Sequence, residues 1–211
     1  MTRQLLTFLF VVLAFSEIAA RKPADTLSAG RWEFVQNLGQ WPQEVRFSAR
    51  MNAGAIFFSD NYFTVAQLHP EQLHAFHEAK HDGKPFPQAY IDAAAYRVTF
   101  LKSQQNAIIS GDQSYDHYYN YYVGKNPAKW ASHANAYAVL RYHELYAGID
   151  LYFLDDEDYL KYEFHVAPGS DPKQIQMQYE GLKSIAKVGE ELLFLAGEKA
   201  GTAITSLCSL L

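Results

Sequence analysis

A single cysteine, Cys208, among 211 residues leaves nothing for an intrachain disulfide to pair with, so stability has to come from a packed core. Clusters of Lys and Arg are also missing, and the net charge is −5. Neutralising phosphates takes concentrated positive charge, which argues against nucleic acid as a partner. After the first twenty residues no apolar stretch reaches the length of a membrane helix. No serine stands in Gly-x-Ser-x-Gly, and neither an internal repeat nor a low-complexity tract occurs. What the chain has in quantity is aromatic: 15 Tyr and 14 Phe, side chains that favour pleated sheets over helix bundles. With 49% hydrophobic and 19% charged residues the composition is that of a globular protein.

The N-terminus has the layout of a secretory signal over residues 1–20. Arg3 precedes the apolar run from Leu5 to Phe15, and Ala19 and Ala20 stand before the polar Arg21-Lys22-Pro23. Cleavage is expected after Ala20; the competing reading is an uncleaved anchor. Removal takes away Arg3 and Glu17, one charge of each sign, and leaves −5. Residues 21–31 read as a flexible leader, 32–195 as a β domain and 196–211 as an atypical tail, disordered or truncated.

From Trp32 onward short extended runs alternate with turn chemistry. Ala55 to Phe58 and Phe63 to Leu68 flank Ser59-Asp60-Asn61, a hairpin pattern. Tyr96 to Leu101 and Ala107 to Ser110 read as another pair, and Ala136 to Tyr142 pairs with Ile149 to Leu154 around Gly148. Between Tyr159 and Val166, Leu160, Tyr162, Phe164 and Val166 alternate with Lys161, Glu163 and His165, the period of a half-buried strand. Ile175, Met177 and Tyr179 repeat the pattern, and Ile185 to Val188 with Glu191 to Leu195 close the series. A helix is expected at Pro70 to Lys80 and a single turn at Pro127 to Ala131. The expected class is mainly all-β, an antiparallel two-sheet sandwich-like fold with one or two short helices.

Several landmarks follow in a fixed order: Phe34-Val35-Gln36-Asn37-Leu38-Gly39-Gln40-Trp41-Pro42, Tyr96-Arg97-Val98-Thr99-Phe100, Asn120-Tyr121-Tyr122-Val123-Gly124-Lys125-Asn126-Pro127 ending at Trp130, Leu145-Tyr146-Ala147-Gly148-Ile149-Asp150-Leu151, and Tyr162 through Pro172. Together they resemble an N-terminal domain of unknown function of large bacterial cell-surface proteins. Those proteins carry SBBP-type β-propeller repeats, PKD-like immunoglobulin-fold modules and gliding-motility-type C-terminal sorting domains. The resemblance covers about residues 32 to 195. It implies export and surface display and supplies no catalytic residues. The family pattern continues past the last strand, so residues 196–211 suggest a fragment or a frameshifted gene.

Three clusters carry chemistry that can be weighed. On a helix His74, His77 and His81, at i, i+3 and i+7, share a face that can hold zinc or copper; a solvated face is the simpler reading, and no protease motif is expected. Tyr115, Tyr118, Tyr119, Tyr121 and Tyr122 can stack on sugar rings, although strand alternation divides them between two faces. Asp155 to Asp158 read as a hairpin tip rather than a calcium loop. Trp32, Trp41 and Trp130 read as packing anchors. Ser110, Ser114 and Ser132 lie near His117 and His133 without a catalytic motif, and Asp150 and Asp171 read as turn residues. The expectation is therefore a non-enzymatic N-terminal module of an exported surface protein, acting in adhesion or as a scaffold, without cofactor. A carbohydrate-binding module is the alternative and a hydrolase the third reading. A cell-surface glycan or protein is the expected partner, with no membrane span after signal removal.

Overall fold

The structure, a computed structural model, describes residues 32–86, 90–105, 107–122, 124–156, 159–188 and 191–196, with 183–188 and 191–196 as backbone only. The expected signal and leader and the tail beyond 196 fall on residues outside the described ones, as do Glu157 and Asp158. The strands are β1 (Phe34–Gln36), β2 (Phe47–Met51), β3 (Gly54–Phe58), β4 (Tyr62–Leu68), β5 (Ala93–Phe100), β6 (Ile108–Tyr121), β7 (Ala131–Tyr146), β8 (Ile149–Asp156), β9 (Tyr159–Val166), β10 (Met177–Glu180), β11 (Leu182–Val188) and β12 (Glu191–Ala196). One helix, α1 (Pro70–His81), and two single 3-10 turns at Pro127–Lys129 and Pro172–Gln174 complete the described elements. Among the described residues no helix is long and apolar enough to cross a membrane.

The chain is mainly β, as its composition implies, but it does not form two stacked sheets. Ten strands make one curled, half-barrel sheet in the order β10-β5-β4-β3-β2-β1-β7-β8-β9, with β6 added beside β7, and β11-β12 forms a separate hairpin. The reason lies in β7. One of its edges pairs with β6 along almost its full length. The other pairs first with β1 at Ala136 and Tyr137, then with β8 from Val139 to Tyr146. A strand shared in this way joins what would otherwise be two layers into one surface. Left-handed backbone at Gln113, His133 and Glu144 introduces the bends that curl it.

Curling encloses the larger of two cores, which is aromatic. Phe34, Phe47, Ile56, Phe58, Phe63, Val65, Val98 and Phe100 of β1 to β5 meet Leu140, Tyr142, Leu151, Phe153 and Phe164 of β7 to β9. Phe153 stands edge-on to Phe58 at 5.0 Å and to Phe63 at 5.4 Å, and the Tyr142 hydroxyl donates to the Ser59 carbonyl across the barrel at 2.9 Å. Burial holds that hydroxyl protonated well above the ordinary tyrosine range. In β9 the expected alternation is present: Phe164 is buried, and Leu160, Tyr162 and Val166 pack on the core from the same face.

The expected hairpin around Ser59-Asp60-Asn61 forms, with Phe58 opposite Phe63. The pairing of Tyr96 to Leu101 with Ala107 to Ser110 does not form. Both edges of β5 are already taken, by β4 and β10, so the chain crosses to β7 instead.

Candidate functional site

The distal half of the β6–β7 ribbon extends past β1 as a two-stranded arm, with Tyr118 opposite Asn135, Tyr119 opposite Ala134 and Tyr121 opposite Ala131. One side of the arm is a small second core. Tyr115, Tyr119, Tyr121 and Trp41 cover Val35, Ala134 and Ala136, and Trp41 meets Tyr121 edge-on at 5.2 Å. Trp41 is held there by Asn37, whose amide donates to the carbonyls of Trp41, Pro42 and Val45 at 3.3, 3.0 and 2.7 Å. The Asn37 Oδ1 also accepts from the Gly39 and Trp41 N–H groups at 2.9 and 3.2 Å. Glu33 closes this side, accepting from the Tyr119 hydroxyl at 2.6 Å and pairing with His117 Nε2 at 3.1 Å. Burial, then that hydrogen bond, raises the Tyr119 hydroxyl well above its ordinary range.

The remaining rings of the run face solvent. Tyr118, 47% exposed, stacks on His133 with ring centroids 4.2 Å apart. At the tip Tyr122 and Trp130, 62% and 43% exposed, stand edge-on at 5.9 Å. The tip is held by its own hydrogen bonds. Asn126 caps the 3-10 turn through the Ala128 N–H at 3.1 Å, the Trp130 N–H reaches Pro127 O at 3.0 Å, and Trp130 Nε1 donates to Gly124 O at 3.2 Å. The tyrosine run thus divides: Tyr115, Tyr119 and Tyr121 pack, while Tyr118 and Tyr122 are displayed. Trp32 and Trp41 are packing anchors as expected. Trp130 is not; its ring lies at the surface because the turn that ends in it projects beyond both cores.

A polar row crosses the outer face of β6 to β9, where Ser110, Arg141, Tyr152 and Glu163 are successive cross-strand neighbours. Ser110 Oγ lies 2.7 Å from His143 Nε2, a pairing across 33 residues that no sequence spacing announces. Asp112 sits 3.5 Å from the serine oxygen, and among the described residues no carboxylate accepts from His143 Nδ1. A catalytic triad needs its acid on the imidazole, and this pair stands on an open sheet face.

Asp150 does more than shape a turn. It takes the Arg141 guanidinium at 3.1 and 2.5 Å on one oxygen and the Glu144 N–H at 2.7 Å on the other. Burial works against its charge, yet the Glu144 N–H and Arg141 outweigh it and hold the carboxyl below its ordinary range. Asp171 behaves as expected, capping the second 3-10 turn through the Lys173 N–H at 2.9 Å.

The histidines lie on α1, which starts at Pro70 and has no buried residue. Here the sequence reading needs correction, because His77-Glu78-Ala79-Lys80-His81 does spell His-Glu-x-x-His. The helix places His77 and His81 one turn apart, as a zinc-peptidase helix does. The rest of such a site is not assembled. Glu78 pairs with His74 at 3.3 Å and His81 with Asp82 at 3.7 Å. Among the described residues no three His, Cys, Asp or Glu side chains converge on a metal position. An open groove of about 720 Å³ beside the Asn37 loop is lined by Trp41, Phe47, Ile108 and the exposed Arg46–Asp60 pair, and neither Ser110 nor His143 enters it.

A family model described as a domain of unknown function, DUF7948, matches residues 34–199. No curated protein and no solved structure gives a significant match.

Proposed function

The chain belongs to the DUF7948 family of unknown function, and from that premise we propose that it is a non-enzymatic N-terminal module of an exported bacterial surface protein, adhering through the β6–β7 arm. The association with propeller repeats, PKD-like modules and sorting domains is part of this proposal and rests on the sequence resemblance. The observation that carries the reading is the arm itself, a ribbon that leaves the sheet, is braced on one side by Trp41 and Tyr121, and displays Tyr118, Tyr122 and Trp130. Rings fixed before contact lose little conformational entropy on binding, which is what a contact surface needs. The hydrolase reading draws support from the Ser110–His143 pair and from His-Glu-x-x-His. Against it stand the open face of the first and the unburied helix of the second.

The test is sedimentation of the full chain with isolated bacterial envelopes. The reading expects co-sedimentation that falls at least about fivefold in a Tyr122→Ser/Trp130→Ser variant with an unchanged circular dichroism spectrum. Equal sedimentation of the variant would end the proposal that the arm is the contact.

A further inference from the structure

The arm is chemically unlike the rest of the chain. Residues 117–143 contain no Asp or Glu, although the chain has 23 acidic residues against 18 Lys and Arg. The same stretch holds Lys125, Lys129, Arg141 and three histidines. Arg141 is spent on Asp150. Lys125 precedes the tip turn and Lys129 ends it, both are exposed, and neither has an ion-pair partner among the described residues. Two uncompensated cations therefore project from an acidic protein at the place where Tyr122 and Trp130 are displayed.

We infer that the arm binds an anionic polysaccharide, its sugar rings lying against Tyr122, Trp130 and the Tyr118–His133 stack and its carboxylate or sulfate groups meeting Lys125 and Lys129. This deepens the proposed adhesive role and rests on it. Three observations select this ligand class. The exposed rings are distributed along the ribbon, since Tyr118 and Tyr122 are about 13 Å apart at strand rise, which suits an extended chain of rings better than a single inserted group. The apex that would enter a lipid surface, residues 124–129, is Gly, Lys, Asn, Pro, Ala and Lys, too polar for insertion among acyl chains. Exposed amides of Asn120 and Asn135 lie beside the Tyr118–His133 stack, the polar complement that sugar hydroxyls require. The Asn126 cap and the Trp130–Gly124 hydrogen bond hold the tip rings in place before any ligand arrives.

The experiment is affinity electrophoresis of the full chain through gels containing polygalacturonate, heparin or neutral dextran. Flotation with phosphatidylglycerol vesicles and gel shift with poly(dT) serve as the other polyanion arms. The expected result is retardation by polygalacturonate or heparin and none by dextran, weakening as salt is raised. Lys125→Gln/Lys129→Gln and Tyr122→Ala/Trp130→Ala should each weaken binding by about tenfold while the circular dichroism spectrum is unchanged. Retention by neither acidic polymer overturns the inference, as does equal retention by dextran. Preference for vesicles or poly(dT) over both glycans overturns it too, as does retention insensitive to both variants. Envelope sedimentation that persists when both glycans fail would leave the adhesive arm standing and remove only its ligand; loss of both results removes both.

Discussion

Asp150 on β8 ties down two points of its neighbour β7, the Arg141 guanidinium and the Glu144 N–H. Its carboxylate fixes Arg141 on the outer face and receives the Glu144 N–H exactly where the β7 ladder skips, between Tyr142 and Tyr146. Replacing it with Asn keeps the shape and loses the charge, so Asp150→Asn is expected to cost about 1–3 kcal/mol in urea unfolding at neutral pH. The pH dependence has a definite sign. A carboxyl whose folded value lies below its unfolded value stabilises fully above the unfolded value of about 4, and that contribution disappears as pH falls through the lowered folded value. Glu163, held down chiefly by its hydrogen bond from Lys161, contributes in the same direction. The gap between wild type and Asp150→Asn should therefore narrow once the pH of unfolding is lowered from 7 to below the unfolded value of about 4; a gap that stays constant would show that Asp150 acts through shape alone. None of this was readable from sequence, where Asp150 after Gly148 looks like a turn residue, because the bulge that it closes is set by cross-strand register.

Among the elements, the hairpins around Ser59-Asp60-Asn61 and Gly148 and the alternation of β9 were legible, since these depend on neighbours in sequence, whereas the pair expected between Tyr96 and Ser110 was not. The helix was legible too, from Leu73 and Phe76 three apart between Pro70 and Lys80. What it does was not. The His-Glu-x-x-His spelling lies on a helix as chemistry requires, yet whether it becomes a site depends on a third ligand from elsewhere in the fold. With two imidazoles one turn apart and Glu78 engaged by His74, saturating zinc should raise stability by less than about 1 kcal/mol, and the chain should not cleave casein. Stabilisation by several kcal/mol, lost in His77→Ala, would mean that a third ligand exists. The Asn37 loop is the clearer case of a motif with a structural meaning. The Asn37 amide knits residues 39 to 45 into a loop, with two of its bonds on the Trp41 backbone, and so holds Trp41 against Tyr121. Asn37→Ala is expected to cost about 1–3 kcal/mol and to shift tryptophan fluorescence to the red as Trp41 loosens; an unchanged spectrum with unchanged stability would contradict the bracing role.

For the molecule as a whole, sequence pointed to β structure and missed the closure. Two stacked sheets and one curled sheet have the same strand pattern; what separates them is that β7 is long enough to serve β1 and β8 in turn along one edge. The curl makes residues nearly a hundred positions apart into direct neighbours. Phe58→Ala and Phe153→Ala should each cost about 3–5 kcal/mol, and a double-mutant cycle should give a coupling of about 0.5–1.5 kcal/mol for the edge-on pair. Simple additivity would argue that the two halves of the sheet do not meet. The shared strand also has a mechanical consequence. A pull on the tip, directed along the arm, runs down β7 parallel to the strand, while its ladder bonds to β1 and β8 lie across that direction. The load is then carried in shear by many bonds at once instead of peeling them singly from one end. Forced unfolding is governed by the unfolding rate rather than by equilibrium stability, so a domain of ordinary thermodynamic stability built on such a strand can hold a tether for far longer than its melting behaviour suggests.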